Sequence, residues 1–326
     1  MPRYELYGRA FESDMPLPEL AEAGTPAEPG LSFERRMPPP FESRRWFVIW
    51  RRPDGDPWVQ VSRTAGGYRI QYCKCAEFHF ETDARRLSGE TIHCSEGMFR
   101  HFLIDQVVPL VMSLEAPVLH ASSVAIDGNR LAAFSGPGGS GKSTLATALA
   151  RRGHAIGADD ALMVAAVGAR VRAVPAYPGV RLWNDSERAV AADLAGTGRT
   201  EPVNKQRFSS GLRFLRGESI LTHLYILDAT PAPAIAFTRL SPRDTAIELV
   251  RETYRLALDD RGALAREFDA LTAVAARLAC WRLSFPRELD RSAALAADVE
   301  AHVRASGDRI SDTGYRISDI GPTVPA

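Results

Sequence analysis

The run Gly136-Pro137-Gly138-Gly139-Ser140-Gly141-Lys142-Ser143 restricts the fold more than any other part of the chain. It satisfies G-x-x-x-x-G-K-[ST] at every fixed position, a pattern that belongs between a strand and a helix. Its glycines let successive amide N–H groups converge on one point, a concavity suited to an anion. The helix after the loop turns the positive end of its dipole toward the same point. The flanks agree: Leu131–Phe134 is an apolar strand, and Leu145, Ala148 and Leu149 mark the inner face of a helix from Lys142 to Arg152. The ligand such a loop implies is a nucleoside triphosphate. Gly136, Gly138, Gly139, Ser140, Gly141, Lys142, Ser143 and Thr144 form the nucleotide-binding set, with Lys142 on the β- and γ-phosphates and the Ser143 hydroxyl on Mg²⁺. The base-binding residues follow no motif, which leaves ATP versus GTP open.

Around the loop, strands alternate with helices, so residues 117–305 read as an α/β domain. Strands are expected at Val118–Ile126, Arg170–Val174, Ile220–Leu227 and Ala234–Phe237, and helices at Asp185–Leu194, Arg243–Leu256, Ala263–Leu278 and Ser292–Ala305. Residues 1–95 read as a smaller β-rich domain, with runs at Tyr4–Tyr7, Trp46–Trp50, Trp58–Ser62, Tyr68–Tyr72 and Glu77–Phe80, and a hairpin at Ala65-Gly66-Gly67. Seven of the 22 prolines fall between Pro16 and Pro40, which argues for irregular chain there. Residues 96–116 carry apolar side chains at helical spacing and are expected to form a linking helix. Residues 306–326 contain one heptad duplication, too little for a repeat fold, and read as a disordered tail.

With 40 Lys+Arg against 40 Asp+Glu, the chain has no excess of cation for a nucleic-acid footprint or an anionic membrane. Its apolar runs are too short to span a bilayer and its start lacks a secretory core, so a cytoplasmic protein is expected. Four cysteines do not make a disulfide framework. Cys73, Cys75, His79, His93 and Cys94 invite a zinc reading, but their spacing matches no common structural-zinc pattern, and ordinary packing is the expectation. Trp46, Phe47, Trp50 and Trp58 are expected as the core of the small β domain rather than a peptide-binding face.

Ala158-Asp159-Asp160 ends the strand after the loop helix. Adjacent carboxylates on a strand end point opposite ways, so Asp159 can partner Mg²⁺ while Asp160 meets an incoming hydroxyl as general base. His120 lies in the strand before the loop strand, and spacing alone leaves it open between a core residue and a site residue.

Taken together, His120, Gly136–Ser143, Arg152-Gly153-His154 and Ala158-Asp159-Asp160 resemble the catalytic domain of HPr kinase/phosphorylase. The resemblance implies an HPr-kinase/PEP-carboxykinase-like P-loop domain, with His120 assisting at the phosphoryl site and Asp160 as base. Thr144 stands where that family has glutamate, and Ala176–Trp183 offers no acidic residue where it has a metal-binding glutamate. The phosphorylase direction is therefore not implied. The Tyr4–Leu20 opening, Tyr177–Trp183 and Leu224–Leu227 look closer to the branch of HPr-kinase-like proteins that accompanies lasso-peptide clusters. That likeness implies an ATP- and Mg²⁺-dependent serine kinase acting on a protein or precursor peptide, with the N-terminal domain recognising it. Arg181, Lys205, Arg207 and Arg251 are further candidates for phosphate or substrate contact, Lys205 and Arg207 in an expected loop from Thr197 to Ser210. A kinase for a small-molecule alcohol and a nucleotide-responsive binding module are the alternatives. The oligomeric state is open, with room for a homo-oligomer.

Overall fold

The computed structural model describes residues 1–24, 29–38, 46–52, 54–128, 130–196, 198–200 and 204–307. The duplicated tail therefore lies outside the described residues from 308 onward, as does part of the proline-rich stretch. Among the described residues no helix is long and apolar enough to cross a membrane.

The N-terminal half is an eight-stranded sheet in the order 3–6, 9–13, 29–35, 86–91, 76–81, 67–72, 57–63, 46–51. Its last five strands are antiparallel neighbours, whereas Pro29–Arg35 runs parallel to the strands on both its sides. Irregular chain was the expectation there. The strand forms because Leu31 and Phe33 alternate inward, and its one proline stands at the first position, where no ladder donor is lost. Arg86–Thr91 carries no clear strand pattern in the sequence, because Gly89 dilutes it. A Cβ at Gly89 would sit 2.5 Å from the Phe78 ring, so glycine is what lets the two strands close.

One face of this sheet packs on the segment expected as a linking helix. It is helical from Glu96 to Met112, with a π-helical turn at Leu103–Val107. Phe99 stacks on Phe78 and Phe102 on Tyr72 at ring-centre distances of 5.0 and 4.8 Å. The same core takes in Met163, Tyr177, Tyr254 and Leu256 from far along the chain. The expected aromatic core divides: Trp58 and Phe47 pack against it, while Trp50 is exposed with its ring edge toward Tyr254.

The C-terminal half is built on an eleven-stranded mixed sheet. Its centre is Ser219–Leu227, parallel to Arg130–Ser135 on one side and to Ala279–Ser284 on the other, and antiparallel to Arg170–Pro175 near its start. The helices are Lys142–Arg151, Asn184–Val190, Pro242–Arg251, Arg261–Ala275 and Ser292–Gly307, which start close to their expected positions, but the second and third end short of Leu194 and Leu256, and Thr253–Tyr254 is a strand. Leu162–Val167 is a strand that the sequence pattern does not single out, and the expected loop at 197–210 holds the strand Lys205–Phe208.

Two interruptions in this sheet bring His120 and the acidic pair together. The expected strand 118–126 breaks at His120: Val118–Leu119 pairs with Leu162–Met163, but Ala121–Ile126 pairs with Arg130–Ser135 and Ala155–Ala158. The neighbouring stretch breaks in the same place, between Ala155–Ala158 and Leu162–Val167. His120 and Asp160 are thereby left facing one another where both stretches change neighbours.

Truncating Phe102 to alanine is expected to cost about 3–5 kcal/mol in urea unfolding, the range for an aromatic lost from a filled core. Because that core draws on both halves, tryptophan fluorescence and far-UV dichroism should report one shared loss rather than melting of the N-terminal sheet alone.

Candidate active site

The glycine-rich loop leaves the buried end of Arg130–Ser135. Gly136 and Gly141 have φ of 137° and 98°, and a Cβ at Gly136 would lie 2.7 Å from the Leu227 carbonyl, so neither position tolerates a side chain. Lys142 is buried, and its ammonium donates to the Gly136 and Pro137 carbonyls at 2.7 and 3.2 Å. Burial lowers its proton affinity. The Ser140 hydroxyl is buried at the cavity wall without a hydrogen-bond partner among the described residues, which suits it to an added acceptor such as a phosphate oxygen. The loop forms one wall of a cavity of about 540 Å³. His120, Asp160, Arg181 and Lys205 add to its polar lining, and Phe285, Pro286, Leu289 and Leu295 supply an apolar wall.

The two adjacent aspartates have different surroundings. Asp159 Oδ1 accepts from Ser143 Oγ and Ser122 Oγ, each at 2.7 Å, and Oδ2 accepts from the Arg181 amide at 2.9 Å. Burial, then the Asp160 charge, raises its proton affinity. Asp160 lines the cavity in the left-handed region at φ 67°, a strained backbone for a non-glycine residue. Arg181 donates to its Oδ2, and His120 Nε2 lies 3.5 Å from Oδ1. Burial opposes its charge, but Lys205, Arg181 and His120 prevail and hold the carboxyl well below the usual carboxylate range. Tyr254 OH donates to the Asp160 carbonyl at 3.3 Å and its ring stands edge-on to His120.

Behind Asp160 is a charge cluster that joins Arg181 and Arg207, both named from the sequence, to Asp105, which sequence reasoning missed; Arg207 is absent from the cavity wall. Val180–Trp183 and Lys205–Phe208 pair antiparallel, with Arg181 opposite Arg207 and Trp183 opposite Lys205. Residues two apart on paired strands share a face, so these four side chains project together. Arg181 and Arg207 are buried; Arg181 forms an ion pair with Asp105 Oδ2 at 3.0 Å, and Arg207 donates to the same oxygen at 3.2 Å. Tyr177 OH donates to the other Asp105 oxygen, and His101 Nδ1 lies 2.7 Å from Oδ2. Burial, then the Arg181 charge, lowers the proton affinity of His101. Asp105 is itself held far below the normal range: burial opposes its charge, but Arg181 and Arg207 outweigh it. A straight α-helix would place Gln106 at the centre of the stripe formed by Phe102, Leu103, Pro109 and Leu110. The π-turn shifts the register, and Asp105 is buried instead. The available signal was a lone carboxylate inside an apolar helical run.

The remaining candidates separate. Thr144 donates to Ser186 Oγ at 2.8 Å, tying the loop helix to Asn184–Val190. Arg251 is exposed, pairs with Glu248 at 3.3 Å and is absent from the cavity wall. His154 lies away from the site, where it forms with Asp127 and Glu300 the one three-residue group among the described residues with metal-ligand spacing. Arg152 and Arg304 already occupy those carboxylates, so the group is an ion-pair network. Among the described residues the cysteines assemble no comparable set, and His79 Nε2 lies 3.3 Å from Thr64 Oγ1.

No family model matches the chain, and no curated protein does. Among solved structures it is similar to the Hpr(Ser) kinase/phosphatase from Coxiella burnetii, with 13% identity over 59% of this chain and 97% of that one and a TM-score of 0.33. At that score the likeness carries no functional weight; the side chains around Asp160 carry it.

Replacing Asp105 with asparagine leaves two buried guanidinium groups short of one carboxylate. A loss of about 3–5 kcal/mol in urea unfolding is expected at neutral pH. Because the folded-state proton affinity of Asp105 is depressed, its contribution is complete above the unfolded value of about 3.9 and declines as pH falls below it. The gap between wild type and variant should therefore persist at pH 5 and narrow only below about pH 4.

Proposed function

We propose that this chain is an ATP-dependent phosphotransferase that moves the γ-phosphoryl group to a serine hydroxyl of a protein or peptide. The observation that supports this most is Asp160: an ionised carboxylate on the wall of the same cavity as the glycine-rich loop, beside His120. A loop that only binds nucleotide has no need of a second, oriented carboxylate there.

Ser143 and Asp159 fit Mg²⁺ by chemical type, since the Ser143 hydroxyl on the cavity wall and the carboxylate that accepts from it at 2.7 Å are both hard oxygen donors. When bound, the ion would neutralise charge on the β- and γ-phosphates. The loop amides, the Ser140 hydroxyl and Lys142 hold the triphosphate, with Lys142 exchanging its two carbonyl acceptors for phosphate oxygens. Asp160 orients the acceptor hydroxyl and takes its proton, and His120 stands beside the same carboxylate. The low proton affinity of Asp160 is compatible with that duty. In a loose transition state the hydroxyl keeps its proton until late, so positioning counts for more than base strength.

The acceptor is argued from position. Trp50 of the N-terminal sheet is exposed, with its ring 6.3 Å from Tyr254, which lies 6.0 Å from His120. An aromatic at that place can hold a peptide whose serine reaches Asp160, and a lasso-type precursor peptide is the acceptor the sequence resemblance favours.

The test is transfer of label from γ-labelled ATP with Mg²⁺ to serine-bearing peptides, located by mass spectrometry. Asp160→Asn should lower transfer by about 10²–10⁴-fold, the usual worth of a general base, while nucleotide still binds. Tight ATP binding by wild type with no transfer to any acceptor would instead favour a nucleotide-responsive binding module.

A further inference from the structure

The cations on the cavity wall or behind it are not equivalent. On the wall, Arg287 donates to the Gly139 and Asp228 carbonyls and Arg291 pairs with Glu288. Arg181 is engaged by Asp105 and Asp160, and Arg207 by Asp105. Lys142 donates to carbonyls of its own loop. Lys205 differs from all of these: among the described residues it has neither a carboxylate within ion-pairing distance nor a hydrogen-bond acceptor. Its ammonium rests over the Trp183 ring instead, 5.3 Å from the ring centre. It lines the cavity and is half-buried.

We infer that Lys205 is a catalytic residue that contacts the γ-phosphoryl group during its transfer. This role rests on the phosphotransferase reading. In the reaction a bond forms between the acceptor oxygen and phosphorus while the bond from phosphorus to the β–γ bridging oxygen breaks. The acceptor proton passes to Asp160, and the electron pair of the broken bond stays on the departing diphosphate. Lys205 remains protonated throughout, and its contribution is a positive charge beside the equatorial oxygens, where negative charge is spread in a loose transition state. An aromatic face holds a cation more weakly than a carboxylate does, so Trp183 can keep the ammonium at the cavity without neutralising it. The flexible lysine stem then lets it move to the phosphoryl group, which Arg181 and Arg207, fixed by Asp105, cannot do. The pairing of Lys205 with Trp183 across the two strands sets this arrangement.

The experiment compares wild type with Lys205→Ala and Lys205→Arg, measuring calorimetric affinities for Mg·ADP and for a non-hydrolysable Mg·ATP analogue alongside kcat and KM. Lys205→Ala is expected to bind Mg·ADP within about twofold of wild type and the triphosphate analogue about tenfold more weakly. It should lose about 10²–10³ in kcat with little change in KM for the acceptor, and Lys205→Arg should recover part of that loss. Equal affinity changes for the two nucleotides, or an unchanged affinity for the analogue, would overturn the assignment. Should wild type transfer phosphate to no acceptor, the phosphotransferase reading fails by itself, and the comparison of di- and triphosphate still decides whether Lys205 meets the γ-phosphate. Thermal unfolding of the variants separates a lost contact from a lost fold.

Discussion

Two arginines buried at one place in a protein of this size must be answered by carboxylates, because an unpaired guanidinium in the interior costs several kcal/mol. Arg181 and Arg207 are 3% and 6% exposed, and Asp105 answers both. That requirement governs much of the architecture. Asp105 stands on the helical segment beneath the N-terminal sheet, while the arginines stand on a strand pair of the C-terminal half. The ions therefore hold that helix against the strand pair, and the apolar side chains around them close into one core that includes Tyr177, Tyr254 and Leu256.

The same cluster gives two neighbouring aspartates separate characters. Arg181 donates its amide to Asp159 and its guanidinium to Asp160, so one residue meets both. Asp159 lies buried among hydroxyls with a like charge beside it, and its proton affinity rises. Asp160 meets Arg181 and His120 and feels Lys205, and its proton affinity falls. Environments that drive two titratable groups apart let neighbouring carboxylates take on different chemistry. The strained backbone at Asp160 belongs to the same arrangement, since the turn that bends the strand there also aims the carboxylate into the cavity.

Legibility in the sequence tracked the range of the interactions. The glycine loop, the helix after it and the long amphipathic helices near the C-terminus were readable because caps, glycines and helical spacing are local properties. Ser241 and Asp260 do accept from the amides three residues on, at the starts of their helices. Lys205–Phe208 reads as loop because its neighbourhood is polar and glycine-rich, and its strand character comes from pairing with Val180–Trp183. Leu162–Val167 stays ambiguous because apolar runs of that length do not distinguish strand from helix. The π-turn at Leu103–Val107 was invisible for a related reason: it breaks the periodicity by which a helix is recognised, and only the charge it buries explains it.

By itself, the sequence determined a glycine-rich loop between a strand and a helix, a chain of alternating strands and helices around it, and an acidic pair one strand away. These stem from spacing within a few tens of residues, where backbone geometry leaves few choices. Only the tertiary structure decided that His120 faces Asp160, that Arg181 and Arg207 are consumed by Asp105, and that Lys205 stands at the cavity without a carboxylate partner among the described residues. Those relations join residues up to about a hundred positions apart, and the energy that fixes them comes from burying charge, which no local pattern encodes.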